Sequence, residues 1–275
     1  MTTQPTTQNP NQALWEKGDF TRIAATMRES GEQFAQSLGA LRGLKVLDVG
    51  CGDGTTALPA AALGADVLGV DIARNLVDAG NRRAKERGLS NLRFEHGDAS
   101  ALANVPSGAF DLVVTMFGAM FAPRPNDVAK ELVRVTRRGG RIVMGNWIPG
   151  DPTLVAQVLK ISSAYSPPPP EGFVSPMTWG VESHVRERFA GAGISAERVR
   201  CTHATWTFRG AGTPSEVLAI FRDYYGPTMN AYAAAAQSGR AAELERELDA
   251  LFRSHNKAAR GTEIPATYLR VEVAV

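Results

Sequence analysis

Residues Val46-Leu47-Asp48-Val49-Gly50-Cys51-Gly52-Asp53-Gly54-Thr55 restrict this chain to a narrow set of folds. Four mostly apolar residues make a buried strand, and three alternate glycines make a sharp turn where backbone can lie against a ligand. A short helix later, Val67-Leu68-Gly69-Val70-Asp71 makes a second strand that ends in a carboxylate. A strand, a glycine turn, a helix and an acidic strand end together bind a nucleoside at the carboxyl edge of a parallel sheet.

The alternation continues through the first half. Strands are expected at Lys45 to Val49, Asp66 to Val70, around Leu92 and Phe94, from Phe110 to Thr115 and from Arg141 to Trp147. Helices are expected from Asp53 or Thr55 through Ala62, from about Ala73 to Arg87, and from Asp127 to Thr136 before Gly139-Gly140. Crossovers of this length predict a parallel sheet with helices on both faces. Ahead of the sheet, Phe20, Ile23, Ala24, Met27, Phe34 and Leu38 recur at helical spacing, with Gly31 as a point of interruption.

The second half reads differently. Asp151-Pro152 is a helix start, because aspartate accepts orphan amides and proline loses no bond at the first position. Pro167 to Pro170 force an extended segment. A helix is expected from Val181 to Phe189, then a strand from Arg198 to Phe208 with Val199, Cys201, His203, Thr205 and Thr207 in alternation. Thr213-Pro214-Ser215-Glu216 is a capping box for a helix reaching Tyr224 or Tyr225. A further helix is expected from about Arg240 to Ala259 with Leu244, Leu248 and Leu251 inward, and a last strand from Thr267 to Val273.

A formal charge of +2 argues against an extended nucleic-acid footprint. Two cysteines, Cys51 and Cys201, make no disulfide framework and suit a cytoplasmic protein. The opening residues are polar and lack an apolar stretch behind them, which predicts a disordered leader rather than a signal peptide. No window approaches the roughly 18 apolar residues of a membrane helix. The four histidines are scattered at positions 96, 184, 203 and 255, so no metal site is expected.

Five coupled pieces now stand in order: Leu47 to Gly54, Gly69-Val70-Asp71-Ile72, Gly97-Asp98-Ala99, Phe110-Asp111-Leu112-Val113 and Arg137 to Arg141. Through them the chain resembles the class I S-adenosylmethionine-dependent methyltransferases, in their menaquinone and ubiquinone methyltransferase-like branch, over about Leu44 to Trp147. The resemblance implies an α/β fold with a Rossmann-like seven-stranded sheet, its last strand antiparallel, and helical insertions before and between the late strands. It divides the chain into a leader (1–14), an amino-terminal helical lid (15–43), a cofactor core (44–150) and a remainder of the same sheet with a substrate cap (151–275). It implies S-adenosylmethionine as cofactor, leaving S-adenosylhomocysteine. Gly50, Cys51, Gly52 and Gly54 would pass beneath the methionine part and ribose, and Asp71 would take the ribose hydroxyls. Ile72, Asp98 and Ala99 would hold adenine, while Thr115, Met116 and Asp48 would meet the methionine ammonium. A nicotinamide oxidoreductase is the competing reading, but its fingerprint wants glycine at position 55, which is threonine. A methyltransferase-like binding protein without turnover is the other.

Methyl transfer from a sulfonium needs placement and exclusion of water more than acid or base. The expected acceptor is a small apolar or aromatic molecule, met by residues at strand ends and in the insertion. Phe117, Met120, Asn146, Trp147, Tyr165, Phe173 and Trp179 are candidates, with Phe121, Tyr224 and Tyr225 as further wall residues. Residues Tyr165 to Trp179 are expected to form part of a lid over the acceptor, and Trp15 and Phe20 a mobile amino-terminal lid over the cofactor. His203 and Tyr165 are weak candidates for a base.

Overall fold

A computed structural model of the protein describes residues 12–275. Three short helices open it, α1 (Gln12–Lys17), α2 (Phe20–Ala25) and α3 (Arg28–Ser37). Most of the expected leader lies outside the described residues, but its last three positions belong to α1. Then β1 (Lys45–Val49), α4 (Ala57–Ala62), β2 (Asp66–Asp71), α5 (Arg74–Glu86), β3 (Leu92–His96), β4 (Phe110–Met116), α6 (Pro125–Val135) and β5 (Thr136–Trp147) alternate as expected. Val46, Leu47 and Val49 are wholly buried, since a central parallel strand is covered on both faces.

The second half contributes α7 (Leu154–Ser163), α8 (Glu182–Ala190), β6 (Val199–Gly210), α9 (Pro214–Tyr224), α10 (Gly226–Gln237), α11 (Ala241–His255) and β7 (Thr262–Ala274). The seven strands lie in the order β3-β2-β1-β4-β5-β7-β6. Strands β1 to β5 pair in parallel, and β7 enters antiparallel between β5 and β6. The Rossmann-like seven-stranded fold is thus established, with its last strand reversed.

Several boundaries depart from the sequence reading. Thr136 leaves the helix and starts β5, whose pairing with β4 jumps from Thr136 to Arg141 and leaves Arg137 to Gly140 looped out. Helix α7 starts at Leu154, because the Asp151 carboxylate accepts from the Thr153 N–H at 2.8 Å and from the Thr153 hydroxyl, making a turn ahead of the helix. Helix α11 ends at His255, where Asn256 takes an extended conformation and its side-chain oxygen accepts from the Ala258 and Glu263 N–H groups. Phe252, not Leu251, joins Leu244 and Leu248 in the core. The whole of α10 was absent from the expected elements; Gly226-Pro227 opens it with proline in its first turn. The Thr213–Glu216 capping box is present in full.

Gly31 sits inside α3 and interrupts nothing; the breaks fall between α1 and α2 and between α2 and α3. Its role is close approach, because a Cβ there would collide with the Thr55 carbonyl just past the glycine turn. Ser30, beside it, donates to the Thr207 carbonyl at 3.0 Å and accepts from the Thr207 N–H at 2.9 Å, pinning α3 to β6. Gly31→Ala is therefore expected to lower the unfolding free energy by about 1–3 kcal/mol. Urea titration of the variant beside the wild type measures this.

Candidate cofactor and acceptor site

The glycine turn holds its shape through left-handed backbone at Gly50, Gly52 and Gly54, with φ of 67°, 55° and 91°. Gly50 also crosses another backbone: a Cβ there would lie 2.7 Å from the Gly118 Cα. Asp71 ties the turn to the neighbouring strand end. One of its carboxylate oxygens accepts from the Gly52 N–H at 2.8 Å, and the other from the Ala73 N–H at 2.9 Å at the start of α5. An ionised carboxylate has about four lone-pair positions, so two remain for a ligand.

Asp48 lies at the same sheet edge and is only 1% exposed. Its Oδ2 has no hydrogen-bond partner among the described residues. Burial, and then the negative charge of Asp71, push its carboxyl up to about 8, against a small opposing effect of the Ala57 N–H. Burial likewise raises Asp71, opposed by the N–H groups it accepts from. Asp53 differs: Arg28 grips both its oxygens, Arg83 Nη1 lies 3.2 Å away, and the Arg28 guanidinium also donates to the Thr55 hydroxyl at 2.5 Å. These ties fasten α3 and α5 to the turn.

Asp48, Asp53 and Asp71 line one end of a cavity of about 1270 Å³, counting its open mouth. No lysine, arginine or histidine lines it among the described residues. The buried Asp48 carboxyl, with no cation facing it among the described residues, calls for a positively charged ligand. The donor set therefore fits a molecule with an ammonium and a sulfonium. Gly50, Cys51, Gly52, Ile72, Ala99 and Met116 also line the cavity. Gly54 supports the turn from below against Leu58 and Phe94, and Asp98 turns to the Ser100 N–H at 2.7 Å instead of lining the cavity. Thr115 is buried behind the wall, where its hydroxyl accepts from the Ala119 N–H at 3.1 Å.

The other end is aromatic. Phe117 is the only non-glycine residue with positive φ among those described, at 64°. Such a conformation is costly for a bulky residue and persists where the surroundings enforce it. Here Gly118 meets the Gly50 carbonyl too closely for any side chain, and the Phe117 N–H donates to the Gly145 carbonyl at 2.9 Å. The result lays the Phe117 ring flat on Trp147, 3.7 Å between centroids, with Trp206 and Tyr268 edge-on. Trp206 and Phe208 of β6, Phe221 of α9, and Tyr225 just beyond α9 complete that wall. Trp15 and Phe20 cover the mouth, with Trp15 edge-on to Phe121 at 4.9 Å. Helix α1 is tied to α5 and α10, since Glu16 accepts from the Arg74 N–H and Lys17 donates to Asn230.

Five of the seven expected acceptor residues lie elsewhere. Met120 is core. Asn146 follows the opposite face of β5 from Trp147 and is buried there. Tyr165 donates to Glu247 beneath the Arg240 guanidinium and clasps α7 to α11. Phe173 is 53% exposed, and Trp179 packs against Phe189 and the Arg188 guanidinium. The segment from Tyr165 to Trp179 consequently forms no lid in this structure. His203 faces solvent on the edge strand and is no base for this cavity, nor is Tyr165. The residues missed, Trp206, Phe208 and Phe221, left a readable signal: Trp206 and Phe208 alternate on β6, and Phe221 precedes Tyr225 by four residues. The sequence reading instead followed the odd-numbered face of that strand.

The chain is similar to known proteins. A family model described as a methyltransferase domain matches residues 47–144. The chain is 34% identical over 244 residues to an uncharacterized protein of Mycobacterium tuberculosis, covering 88% of this chain and 86% of that relative. Over 106 residues it is 41% identical to a demethylmenaquinone methyltransferase of Anoxybacillus flavithermus, covering 37% of this chain and 44% of that protein. Its fold is that of a putative methyltransferase from Bacillus halodurans, with a TM-score of 0.56 and 17% identity over 88% of this chain and 97% of the other. With the cation-seeking carboxylates set beside the glycine turn, the methyltransferase-domain match and the likeness to a demethylmenaquinone methyltransferase place the chain among the class I S-adenosylmethionine-dependent methyltransferases.

Proposed function

We propose that the protein methylates a small, uncharged, apolar or aromatic acceptor in the cytoplasm. The observation that carries this reading is the division of one cavity into a carboxylate end and an aromatic end, with no cationic side chain among the described residues to pair an acidic acceptor. When bound, S-adenosylmethionine supplies a methyl group on a positively charged sulfur, displaced in line by the acceptor's electron pair and leaving a neutral thioether. Asp48 and Asp71 hold the positive and ribose portions, and Gly50 and Gly52 admit them closely. The parallel Phe117–Trp147 pair fixes one wall of the acceptor space, while Trp15 and Phe20 exclude water. Among the described residues no carboxylate or imidazole lines the aromatic end to remove a proton, so the acceptor's attacking atom is one that reacts neutral or sheds its proton to solvent.

Methyl transfer from labelled S-adenosylmethionine to panels of phenols, enols, amines and carboxylic acids tests the proposal. Label is expected in neutral apolar acceptors and not in acids. Transfer confined to acids, or cofactor binding with no transfer to any acceptor in a cell metabolite extract, defeats it.

A further inference from the structure

Among the described helices and strands that line the cavity, α1 alone has no buried residue. It nevertheless carries Trp15, a half-buried ring that lines the cavity and stands between it and solvent. The other helices of the wall are anchored by buried side chains, Ile23 in α2, Leu154 in α7 and Leu218 in α9 among them. An element with few buried contacts opens at the least cost, and elements that admit ligands are drawn from that class.

A single residue, Gly18, separates Lys17 at the end of α1 from Asp19, the N-cap of α2. Asp19 is fixed, because its carboxylate accepts from the Thr21 N–H at 3.2 Å and from the Thr21 hydroxyl at 2.5 Å. Any swing of α1 away from the cavity therefore turns at Gly18. The closed position is a close fit of backbone on backbone. A Cβ on Gly18 would lie 2.3 Å from the Tyr224 carbonyl oxygen, and one on Gly226 would lie 2.6 Å from the Leu14 carbonyl oxygen.

Polar side chains hold that position. Ala73, the N-cap of α5, has no side-chain oxygen to cap its own helix. Glu16 supplies one from α1 and accepts from the Arg74 N–H at 3.1 Å, where the helix dipole favours a carboxylate. Gln12 donates to the same oxygen at 3.0 Å, and the Gln12 and Arg74 bonds hold the Glu16 carboxyl below its ordinary range, so it is ionised near neutrality. Lys17 adds the tie to α10, donating to Asn230 Oδ1 at 2.9 Å. We propose that α1 is a hinged gate over the cavity and that Glu16 is its latch, so that cofactor and product pass when Glu16 releases α5. This rests on the reading of the cavity as the cofactor site. Glu16 is a positioning residue, because it holds the gate and does not itself line the cavity.

Surface plasmon resonance of S-adenosylhomocysteine on the immobilised full chain separates entry from exit. The latch holds the gate whether or not the cavity is filled. Glu16→Ala is therefore expected to raise the association and dissociation rates together, by about threefold to fivefold, with Kd within about twofold of wild type. Removing the second tie as well, in Glu16→Ala, Lys17→Ala, should raise both rates by about tenfold. Glu16→Gln keeps a carbonyl oxygen for the Arg74 N–H and should leave both rates within about twofold of wild type. Urea midpoints of all three variants should match the wild type, because α1 buries no residue. Unchanged rates in the double variant would overturn the proposal. So would faster dissociation with unchanged association, which makes Glu16 a cofactor contact instead of a latch. Failure of the wild type to bind S-adenosylhomocysteine would strike the cofactor reading and the gate with it, whereas unchanged rates beside a wild type that binds strike the latch alone.

Discussion

Affinity for S-adenosylmethionine is expected to rise by up to about tenfold per pH unit from pH 6 and to level off above about pH 8. The cause is Asp48, whose carboxyl is raised to about 8 by burial and by Asp71. Below that value it is protonated and neutral, so a cationic ligand must displace its proton in order to bind. Asp48→Asn should flatten the profile between pH 6 and 8.5 at a weaker affinity than the wild type reaches. The Cys51 thiol, raised well above its ordinary value by the same burial and carboxylates, does not titrate in this window. Calorimetry across the range, repeated in buffers of different ionisation enthalpy, reads both the affinity and the proton released. A flat wild-type profile would remove Asp48 from cation binding.

The same shift sets a stability trend of opposite sign. A carboxyl with a raised folded-state pKa contributes stability that is fully present below its unfolded value near 4. That stability is lost as pH rises through about 8, at about 1.4 kcal/mol per unit. The ligand-free protein is therefore expected to be more stable at pH 6 than at pH 8.5, with bound S-adenosylmethionine narrowing the gap. Urea midpoints with and without cofactor at the two pH values test this.

Asp71→Ala should weaken cofactor binding by about tenfold to a few hundredfold, the effect of losing hydrogen bonds to a charged group. It should also destabilise the ligand-free protein, because the Gly52 and Ala73 N–H groups lose their acceptor. Asp71→Asn keeps one carbonyl oxygen and should recover part of the stability while still binding weakly, since its NH₂ group meets an N–H that needs an acceptor. Paired calorimetric and thermal measurements on the two variants separate these effects. Unchanged cofactor affinity in a folded Asp71→Ala protein would rule out the ribose assignment.

The legibility of this chain divides at Trp147. The glycine turn, the acidic end of β2 and the strand–helix alternation depend on contacts within a few residues or between adjacent strands. Their signals sit together in the sequence, and Gly50, Gly52, Asp71 and Ile72 line the cavity. Asp98 shows the limit even there, because an aspartate after glycine caps its own turn as readily as it meets a ligand.

The aromatic end was legible only in fragments. Phe117 and Trp147 follow from their places at strand ends, but Trp179 and Trp206 are equally buried and only Trp206 faces the cavity. Apolar side chains have the same periodicity whether they fill a core or line a pocket, so sequence cannot separate the two. What the sequence by itself determined is the sheet, its glycine turn and the chemistry of the cofactor end, all made by local backbone demands. Only the tertiary structure decided the aromatic end, because its walls come from α2, β5, β6, α7 and α9 and are joined by long-range packing. That packing also left Asp48 without a cation facing it among the described residues.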